Sequence, residues 1–526
     1  MERWKSRIGV ILAVAGSAVG VGNFLRFPGQ VVANGGGSFM IPYFAALLLL
    51  GLPLCWAEWI MGRSGGEHNF HSCPAIMYKL GKSNLWKYIG AIGVLIPMAI
   101  MMYYIVIETW CLVYAVKYLF GQIDLGSSPE QYMINSKNLF ATIAGTTNDG
   151  FHTEGKINIT FALLIVIFSI NFYLVYNGLT RGIEKFCTYA MPLMGLCAII
   201  VLFRILTLGT PDPNIPEQNV INGLGYMWNP KPLDNDSPWW TALLNPQVWM
   251  SAAGQIFFTL SVGLGVIINY ASYLSNKDDV VLSGLTATAT NEFFEVCLGG
   301  LITVTAAFIF LGASGSQGGV FSLGFHTLPV VFMHMPAGSF FGFIWFFMLF
   351  LAAITSSISM LQPSIAFLEE TANIKRKGSI SILGIICGLG SLFVIYFSKD
   401  LKALDTLDFW AGTTAIYLLA MSQIILFGWV YGVDRGLEEA KHGALINLPS
   451  WFGFVIKYVS SLYLLTVFVL WAYNNLPGYI TTLLKGGVPL FSVCILAGLY
   501  LFIVTLINNG QKYWSEKTSN PEDYNI

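Results

Sequence analysis

Five side chains that offer neutral oxygens sit inside long apolar runs: Asn23 in SAVGVGNFLRFP, Thr259 in GQIFFTLSVGLG, Asn291 in NEFFEV, and Thr355 with Ser356 in AITSSISMLQP. Uncharged oxygens suit a hard monovalent cation better than a transition metal, whose ligands are softer or charged. Sodium fits that donor set. Two of the runs also carry small residues at their centres, Gly16, Ser17, Gly20 and Gly22 in the first, Ser261, Gly263 and Gly265 in the second. Each glycine weakens a helix by about 1 kcal/mol relative to alanine and lets the backbone leave helical geometry. A helix broken at mid-membrane frees main-chain carbonyls for cations and turns N–H groups toward an anionic ligand. Taken singly, either run reads equally well as close helix packing, because small residues also line contacts between membrane helices.

These groups need elements to position them, and composition says which kind. Of 526 residues, 55% are hydrophobic and 10% charged, against about 25% charged in a soluble domain, so the fold class is an all-α polytopic membrane protein. The net charge of −1 and the thin scatter of Lys and Arg leave no basic surface for nucleic acid. The 8 cysteines are dispersed without metal-site spacing and read as small apolar side chains. No GxxxxGK loop followed by Ser or Thr is present, so ATP drive is not expected, and no enzyme is indicated. The basic start and its glycine-rich apolar run do not read as a cleaved signal peptide, so the run is retained as the first span.

A membrane helix needs about 20 apolar residues, since unpaired backbone groups in lipid are costly. That rule gives twelve transmembrane helices, near 8–31, 38–61, 86–119, 158–177, 187–208, 241–272, 282–313, 337–369, 379–397, 408–432, 452–473 and 488–510. Arg3, Lys5 and Arg7, then Arg63, Lys79 and Lys82, Arg181 and Lys185, Lys375, Arg376 and Lys377, and Lys512 and Lys517 fall on one side. The positive-inside bias puts those connections and both termini in the cytoplasm. Residues 319–338, broken by Gly and Pro, read as an outer lid of short helices or as an ordinary folded loop. The two glycine-broken spans are the first and the sixth, each opening a five-helix unit. This is the pattern of a 5+5 inverted repeat with unwound helices 1 and 6, plus two C-terminal helices. The units are 1–210, 211–435 and 436–526.

SAVGVGNFLRFP with NGGGSFMIPY, YYIVIETW, GQIFFTLSVGLG and TSSISMLQP occur in order within residues 4–510. They resemble the signatures of the neurotransmitter:sodium symporter family, most closely its bacterial amino-acid branch, that of the bacterial leucine transporter. The resemblance implies two sodium sites. The first takes oxygens of Ala18, Asn23, Thr259 and Asn291, completed by the substrate carboxylate. The second takes carbonyls of Gly16, Val19 and Ala352 with hydroxyls of Thr355 and Ser356. It implies a substrate pocket of Ser17, Ala18, Gly22, Ile100, Tyr104, Phe258, Thr259, Ser261, Leu264, Ser356 and Met360, with the Tyr104 hydroxyl on the carboxylate. At Gly20 the monoamine branch has an aspartate; here there is only hydrogen, so the ligand should bring its own carboxylate. The pocket wall offers no fixed charge for a charged side chain, whose unpaired burial is costly. The implied substrate is a neutral, mainly apolar amino acid. Ser17 and Leu264 stand where the leucine transporter has asparagine and phenylalanine, and flexible Met360 where it has isoleucine, which leans the pocket toward larger ligands.

The resemblance also implies an outer gate of Arg26 and Asp408 over an aromatic lid of Tyr104 and Phe258, and an inner gate of Glu370, Tyr273 and an N-terminal arginine. That arginine is displaced here to Arg3, directly before Trp4. Glu295 holds the position where chloride-dependent relatives have serine, so transport is expected to need no chloride. The implied function is sodium-coupled import of neutral L-amino acids by alternating access, across a bacterial inner membrane. The chain would act as a monomer or weak homo-oligomer with the lipid bilayer and the amino acid as its partners. The competing reading is a transporter-like amino-acid sensor or receptor with little net transport.

Overall fold

The computed structural model describes residues 4, 6–153, 156–157, 159–230, 238–315 and 321–518. The chain enters through α1 (Arg7–Ala18), whose first turn is capped by Ser6, with the Gly9 N–H donating to its hydroxyl at 3.0 Å. Helical geometry fails at Val19, which is extended at φ −75° and ψ 96°. It resumes as α2 (Gly22–Ala33), bent 48° from α1. Then come α3 (Gly37–Glu67), α4 (Asn84–Leu119), α5 (Ile159–Tyr176) and α6 (Leu179–Leu206). The second interrupted helix is α7 (Pro246–Thr259) followed by α8 (Val266–Ala271). The other long apolar helices are α9 (Val280–Gly312), α10 (Gly338–Ala372), α11 (Arg376–Tyr396), α12 (Lys399–Lys441), α13 (Phe452–Leu484) and α14 (Val488–Trp514), and shorter helices at Cys73–Gly81, Pro129–Ala144 and Val220–Trp228 lie in the connections.

Among the described residues, 10 helices are long and apolar enough to cross a membrane, and the bent pair α1 and α2 makes 11. The sixth expected span is the exception. It survives as segments of 14 and 6 residues, each short of the roughly 20 that hydrocarbon demands. Between them Ser261, Gly263 and Gly265 have φ of 55°, 71° and 81°, left-handed values that end a right-handed helix. At Gly265 the close approach is specific: a Cβ there would stand 2.2 Å from the Gly93 carbonyl oxygen of α4. One small departure from an all-helical chain is an antiparallel pair, His152–Thr153 with Lys156–Ile157.

The helices differ in what surrounds them. The apolar stretches of α4 and α10 are 89% and 78% buried within the protein, those of α13 and α14 only 22% each. So α4 and α10 form the centre, and the last two helices present apolar side chains such as Leu484 and Leu501 to the lipid. At 36 and 35 residues, α4 and α10 run about 50 Å and outreach the hydrocarbon. Between residues 319 and 338, residues 319 and 320 lie outside the described residues. Ser322–Thr327 form a wide helical turn and Leu328–His334 a short helix. Tyr114 of α4 donates to the Phe325 carbonyl at 3.2 Å and Ser136 to that of His326 at 2.7 Å, tying these turns down.

At one end of the bundle Arg63 is fully buried. Its Nε donates to Glu439 Oε1 at 2.7 Å, and Nη1 donates to the carbonyls of Asp278 and His442 at 2.7 and 2.8 Å. This fork ties α3 to α12 and to the loop before α9, because a guanidinium has five fixed donors to spend.

Candidate functional site

The two helix breaks meet. Ser261 Oγ donates to the Ser17 carbonyl at 3.1 Å, and Ser356 Oγ of α10 donates to the same carbonyl at 3.1 Å. The irregular backbone is therefore satisfied by side chains rather than by lipid. Three further contacts pin it. The Gly20 N–H donates to Asn23 Oδ1 at 2.8 Å, the Val21 N–H to the Tyr104 hydroxyl at 3.2 Å, and the Gly263 N–H to Glu58 Oε1 at 3.3 Å. Glu58 was not among the residues expected at the site; its signal was a lone carboxylate in an apolar span.

Around Asn23 the oxygens crowd. Because Gly20 fixes Asn23 Oδ1, the Asn23 amide nitrogen faces Asn291 Oδ1 at 2.8 Å, Thr259 Oγ1 at 3.1 Å and Glu295 Oε2 at 3.0 Å. Asn23 thus turns its NH2, not the expected oxygen, to this cluster. The Asn291 side-chain atom that faces Asn23 also stands 3.2 Å from the Thr259 carbonyl and 3.3 Å from the Ala18 carbonyl. If that atom is nitrogen it donates to both carbonyls but abuts the Asn23 NH2. If it is oxygen, it accepts from the Asn23 NH2 and the Ala18 and Thr259 carbonyls converge on it with no proton from Asn291, a gathering of neutral oxygens that suits a cation. The expected first-site residues Ala18, Asn23, Thr259 and Asn291 are therefore in one cluster.

Glu295 belongs to the same cluster. Oε2 accepts from the Thr259 hydroxyl and from Asn23, and Oε1 accepts from Gln255 at 2.9 Å and Tyr43 at 3.1 Å. Tyr43 also reaches Glu292 Oε2 at 2.7 Å. Gln255, Tyr43 and Glu292 were missed in the sequence, although Glu292 and Glu295 lie three apart on one helical face.

The expected second-site groups also gather. Ser356 Oγ is 3.4 Å from the Gly16 carbonyl, and Thr355 Oγ1 is 3.0 Å from that of Ala352. A Cβ on Gly16 would touch Thr355 Cβ at 3.5 Å. Val19, extended at the end of α1, is the residue at which the helical hydrogen-bond ladder stops.

Next to these groups lies a cavity of about 350 Å³. Its walls include Val21, Gly22, Tyr104, Ile107, Phe258 and His326, with Arg26 and Asp408 further along it. Of the expected pocket residues Gly22, Tyr104 and Phe258 line this cavity, while Ile100, Leu264 and Met360 are buried at 0%, 1% and 5% exposure. Gly20 lies under Tyr104 and Ser356: a Cβ there would meet their oxygens at 2.7 and 2.8 Å. That geometry leaves no room for a side-chain carboxylate.

The gate residues are arranged differently from the expectation. Arg26 and Asp408 line one cavity, but among the described residues no ion pair joins them. The Arg26 guanidinium lies over the Phe258 ring, 4.4 Å from its centroid, and Asp408 Oδ1 accepts from the Tyr103 hydroxyl at 2.6 Å. At the other end Arg3 lies outside the described residues. Glu370 accepts from the Ser72 N–H at 3.1 Å, from the Ser72 hydroxyl and from the His71 N–H at 3.4 Å. Tyr273 stacks on His71 at 4.5 Å and accepts from Gln362 at 3.2 Å. Trp4 donates to the Tyr270 carbonyl at 3.0 Å, closing α1 against α8.

Comparison with known proteins follows the same outline. The profile of the family described as "Sodium:neurotransmitter symporter family" matches residues 1–135 and 126–507. An uncharacterized sodium-dependent transporter of Methanocaldococcus jannaschii is 29% identical over 512 residues, covering 95% of this chain and 97% of that one. The sodium- and chloride-dependent taurine transporter of Homo sapiens is 26% identical over 491 residues, covering 83% and 73%. Among solved structures, MhsT in complex with L-phenylalanine superposes with a TM-score of 0.75 at 27% identity, covering 89% of this chain and 99% of that one.

Proposed function

The chain belongs to the sodium:neurotransmitter symporter family, and from that premise we propose that it is a sodium-coupled symporter importing neutral, mainly hydrophobic or aromatic L-amino acids by alternating access. The observation that carries the reading is the gathering of the Ala18 and Thr259 carbonyls with the Asn23, Asn291 and Thr259 side chains where two broken helices meet. Those oxygens suit sodium, and a substrate carboxylate beside them would complete its shell. An anion held by the cation it helps to coordinate couples the two binding events, since each then raises the other's affinity.

The carboxylate should come from the ligand, because Gly20 has no space to supply one. Tyr104 and the main-chain N–H of Val21 meet at 3.2 Å and would turn to the carboxylate together. The apolar and aromatic cavity favours a neutral side chain, and the L-phenylalanine bound by MhsT is consistent with a large one.

The finer reading has twelve transmembrane helices in a 5+5 inverted repeat with two further helices, α7 and α8 counting as the unwound sixth. Its units are 1–210, 211–435 with the outer lid near 319–338, and 436–526. Both termini are cytoplasmic, two sodium ions bind, chloride is not required, and the protein works as a monomer or weak homo-oligomer. The cavity beside Arg26 and Asp408 then faces outward, and the packing of Trp4 on Tyr270 closes the inner side.

The test is uptake into proteoliposomes under an inward sodium gradient, with each neutral amino acid labelled in turn and potassium replacing sodium as control. Accumulation above the outside concentration is expected with sodium alone. Binding without accumulation would favour the sensor reading, and neither binding nor uptake of any of them would overturn the substrate class.

A further inference from the structure

Glu108 is a fully buried carboxyl group in α4 to which the transport reading gives no role. It meets two other fully buried side chains, Asn171 of α5 and Ser357 of α10. Asn171 Nδ2 stands 2.9 Å from Glu108 Oε1, Ser357 Oγ stands 2.9 Å from Glu108 Oε2, and the same Oγ stands 2.6 Å from Asn171 Oδ1.

Counting protons fixes the state of this triad. The two contacts made by Ser357 join three oxygens and need two protons, but a hydroxyl has one. A further acceptor, the Ile354 carbonyl at 3.1 Å from Ser357 Oγ, only deepens the shortage. If the Asn171 amide is turned over, its nitrogen satisfies Ser357. Its oxygen then faces Glu108 Oε1 at 2.9 Å and the Ile167 carbonyl at 3.1 Å, again with no proton between them. In either orientation the missing proton has to sit on Glu108, because a bare contact between buried acceptors is costly.

The triad's place on α10 gives it a role. Ser357 directly follows Thr355 and Ser356, and successive helical residues point about 100° apart. Ser356 faces the α1 break, 3.1 Å from the Ser17 carbonyl, while Ser357 is held from the α4 and α5 side. We propose that Glu108 is a neutral carboxylic acid that, by holding Ser357 together with Asn171, sets the rotation of α10 and so positions the Thr355 and Ser356 hydroxyls for sodium. Glu108 is a positioning residue, and its role rests on the second sodium site of the proposed function.

The test titrates sodium, against potassium at constant ionic strength, into the purified full-length protein and follows the sodium-induced rise in its unfolding temperature. E108A and S357A are expected to raise the half-saturating sodium concentration about tenfold, equivalent to ~1.4 kcal/mol. E108Q, whose amide can donate to Ser357 and accept from Asn171, is expected to recover most of that loss. The infrared spectrum of the wild type should hold a protonated-carboxyl band that E108Q lacks. If E108A does not fold, S357A probes the same contact. E108Q as impaired as E108A, or no band lost, would overturn the neutral acid. T355A separates this proposal from the sodium site it depends on. If T355A weakens the sodium response while E108A and S357A leave it intact, the positioning role falls and the site stands. If T355A also has no effect, the second-site reading falls and takes this role with it.

Discussion

Asp408 accepts a hydrogen bond from the Tyr103 hydroxyl at 2.6 Å, so the acidic half of the expected outer gate is held by α4 rather than by Arg26. Arg26 meanwhile rests on Phe258, with one nitrogen, Nη1, lacking a hydrogen-bond partner. If Arg26 and Asp408 close as the expected gate, closure exchanges one bond to Asp408 for another. Removing the competitor with Y103F should ease closure and tighten equilibrium binding of a labelled amino acid roughly three- to tenfold, the scale of one ordinary net hydrogen bond. R26A should lose uptake while keeping sodium-induced stabilisation. Unchanged affinity in Y103F would show that Tyr103 does not oppose the gate.

Gly20 has no room for a Cβ, which would stand 2.7 Å from the Tyr104 hydroxyl and 2.8 Å from Ser356 Oγ. G20A should force both oxygens away from the carboxylate position and weaken amino-acid binding by at least about tenfold, a cost of ~1–3 kcal/mol for overpacking a fitted site. G20D should abolish binding of neutral amino acids, because its carboxylate would occupy the space of theirs. Size-exclusion profiles and competition binding with intact amino acids against their decarboxylated amines would check both.

Much of this architecture is legible in the residues, and the limits have physical causes. The breaks at Val19 and at 260–265 follow from glycines clustered where a helix gains nothing from them. The gathering of Asn23, Thr259, Asn291 and Glu295 was reachable only through the family's motif order, since no local pattern brings residues 268 or 272 positions apart together. Ile100, Leu264 and Met360 are expected pocket wall and are buried at 0%, 1% and 5% exposure, which a core position would show equally. Apolar side chains carry no sign that separates a ligand wall from a core. The Tyr103 bond to Asp408 was hidden for the opposite reason: Tyr103 and Tyr104 are adjacent, and only their helical azimuth sends one to the gate and the other to the helix break.

The Thr259 hydroxyl touches both Glu295 Oε2 and the Asn23 amide. T259V removes that oxygen, nearly preserves volume and leaves the main-chain carbonyl in place. Sodium dependence of amino-acid binding should weaken about tenfold, with residual coupling through the carbonyl. The check is a sodium titration of amino-acid binding; an unaltered midpoint would remove the hydroxyl from the ion's ligands.

His326, in the turn before the Leu328–His334 helix, has its ring pKa lowered to about 4 by burial and by nearby Lys137. The imidazole is thus neutral in the folded loop, while in the opened loop it would titrate near the usual 6.5. Between those values the opened form binds more protons, so the contribution to loop stability is present above about 6.5 and is lost as pH falls toward 4. Hydrogen exchange at the 328–334 amides should accelerate from pH 7.5 to about 5 beyond the intrinsic pH effect. H326Q should remove that extra acceleration, and its persistence would assign the sensitivity to another group.

Glu295 receives donors from three side chains, Thr259, Asn23 and Gln255, and the one proton of the Tyr43 hydroxyl lies between it at 3.1 Å and Glu292 at 2.7 Å. Donors on both of its oxygens favour the charged form of the carboxylate, and we take Glu295 as the anion of this cage. A negative charge held there, in contact with Asn23 and Thr259, offsets the positive charge of an ion bound at the same cluster. Replacing chloride with gluconate should therefore leave sodium-driven uptake unchanged. E295S opens the cage and removes the fixed charge, so its uptake should fall at least about tenfold in gluconate, the scale of losing one charged partner from a buried site. Added chloride should restore part of that loss by supplying a mobile anion at the vacated position. Uptake by the wild type that collapses in gluconate would mean that the Glu295 charge does not do what chloride does elsewhere.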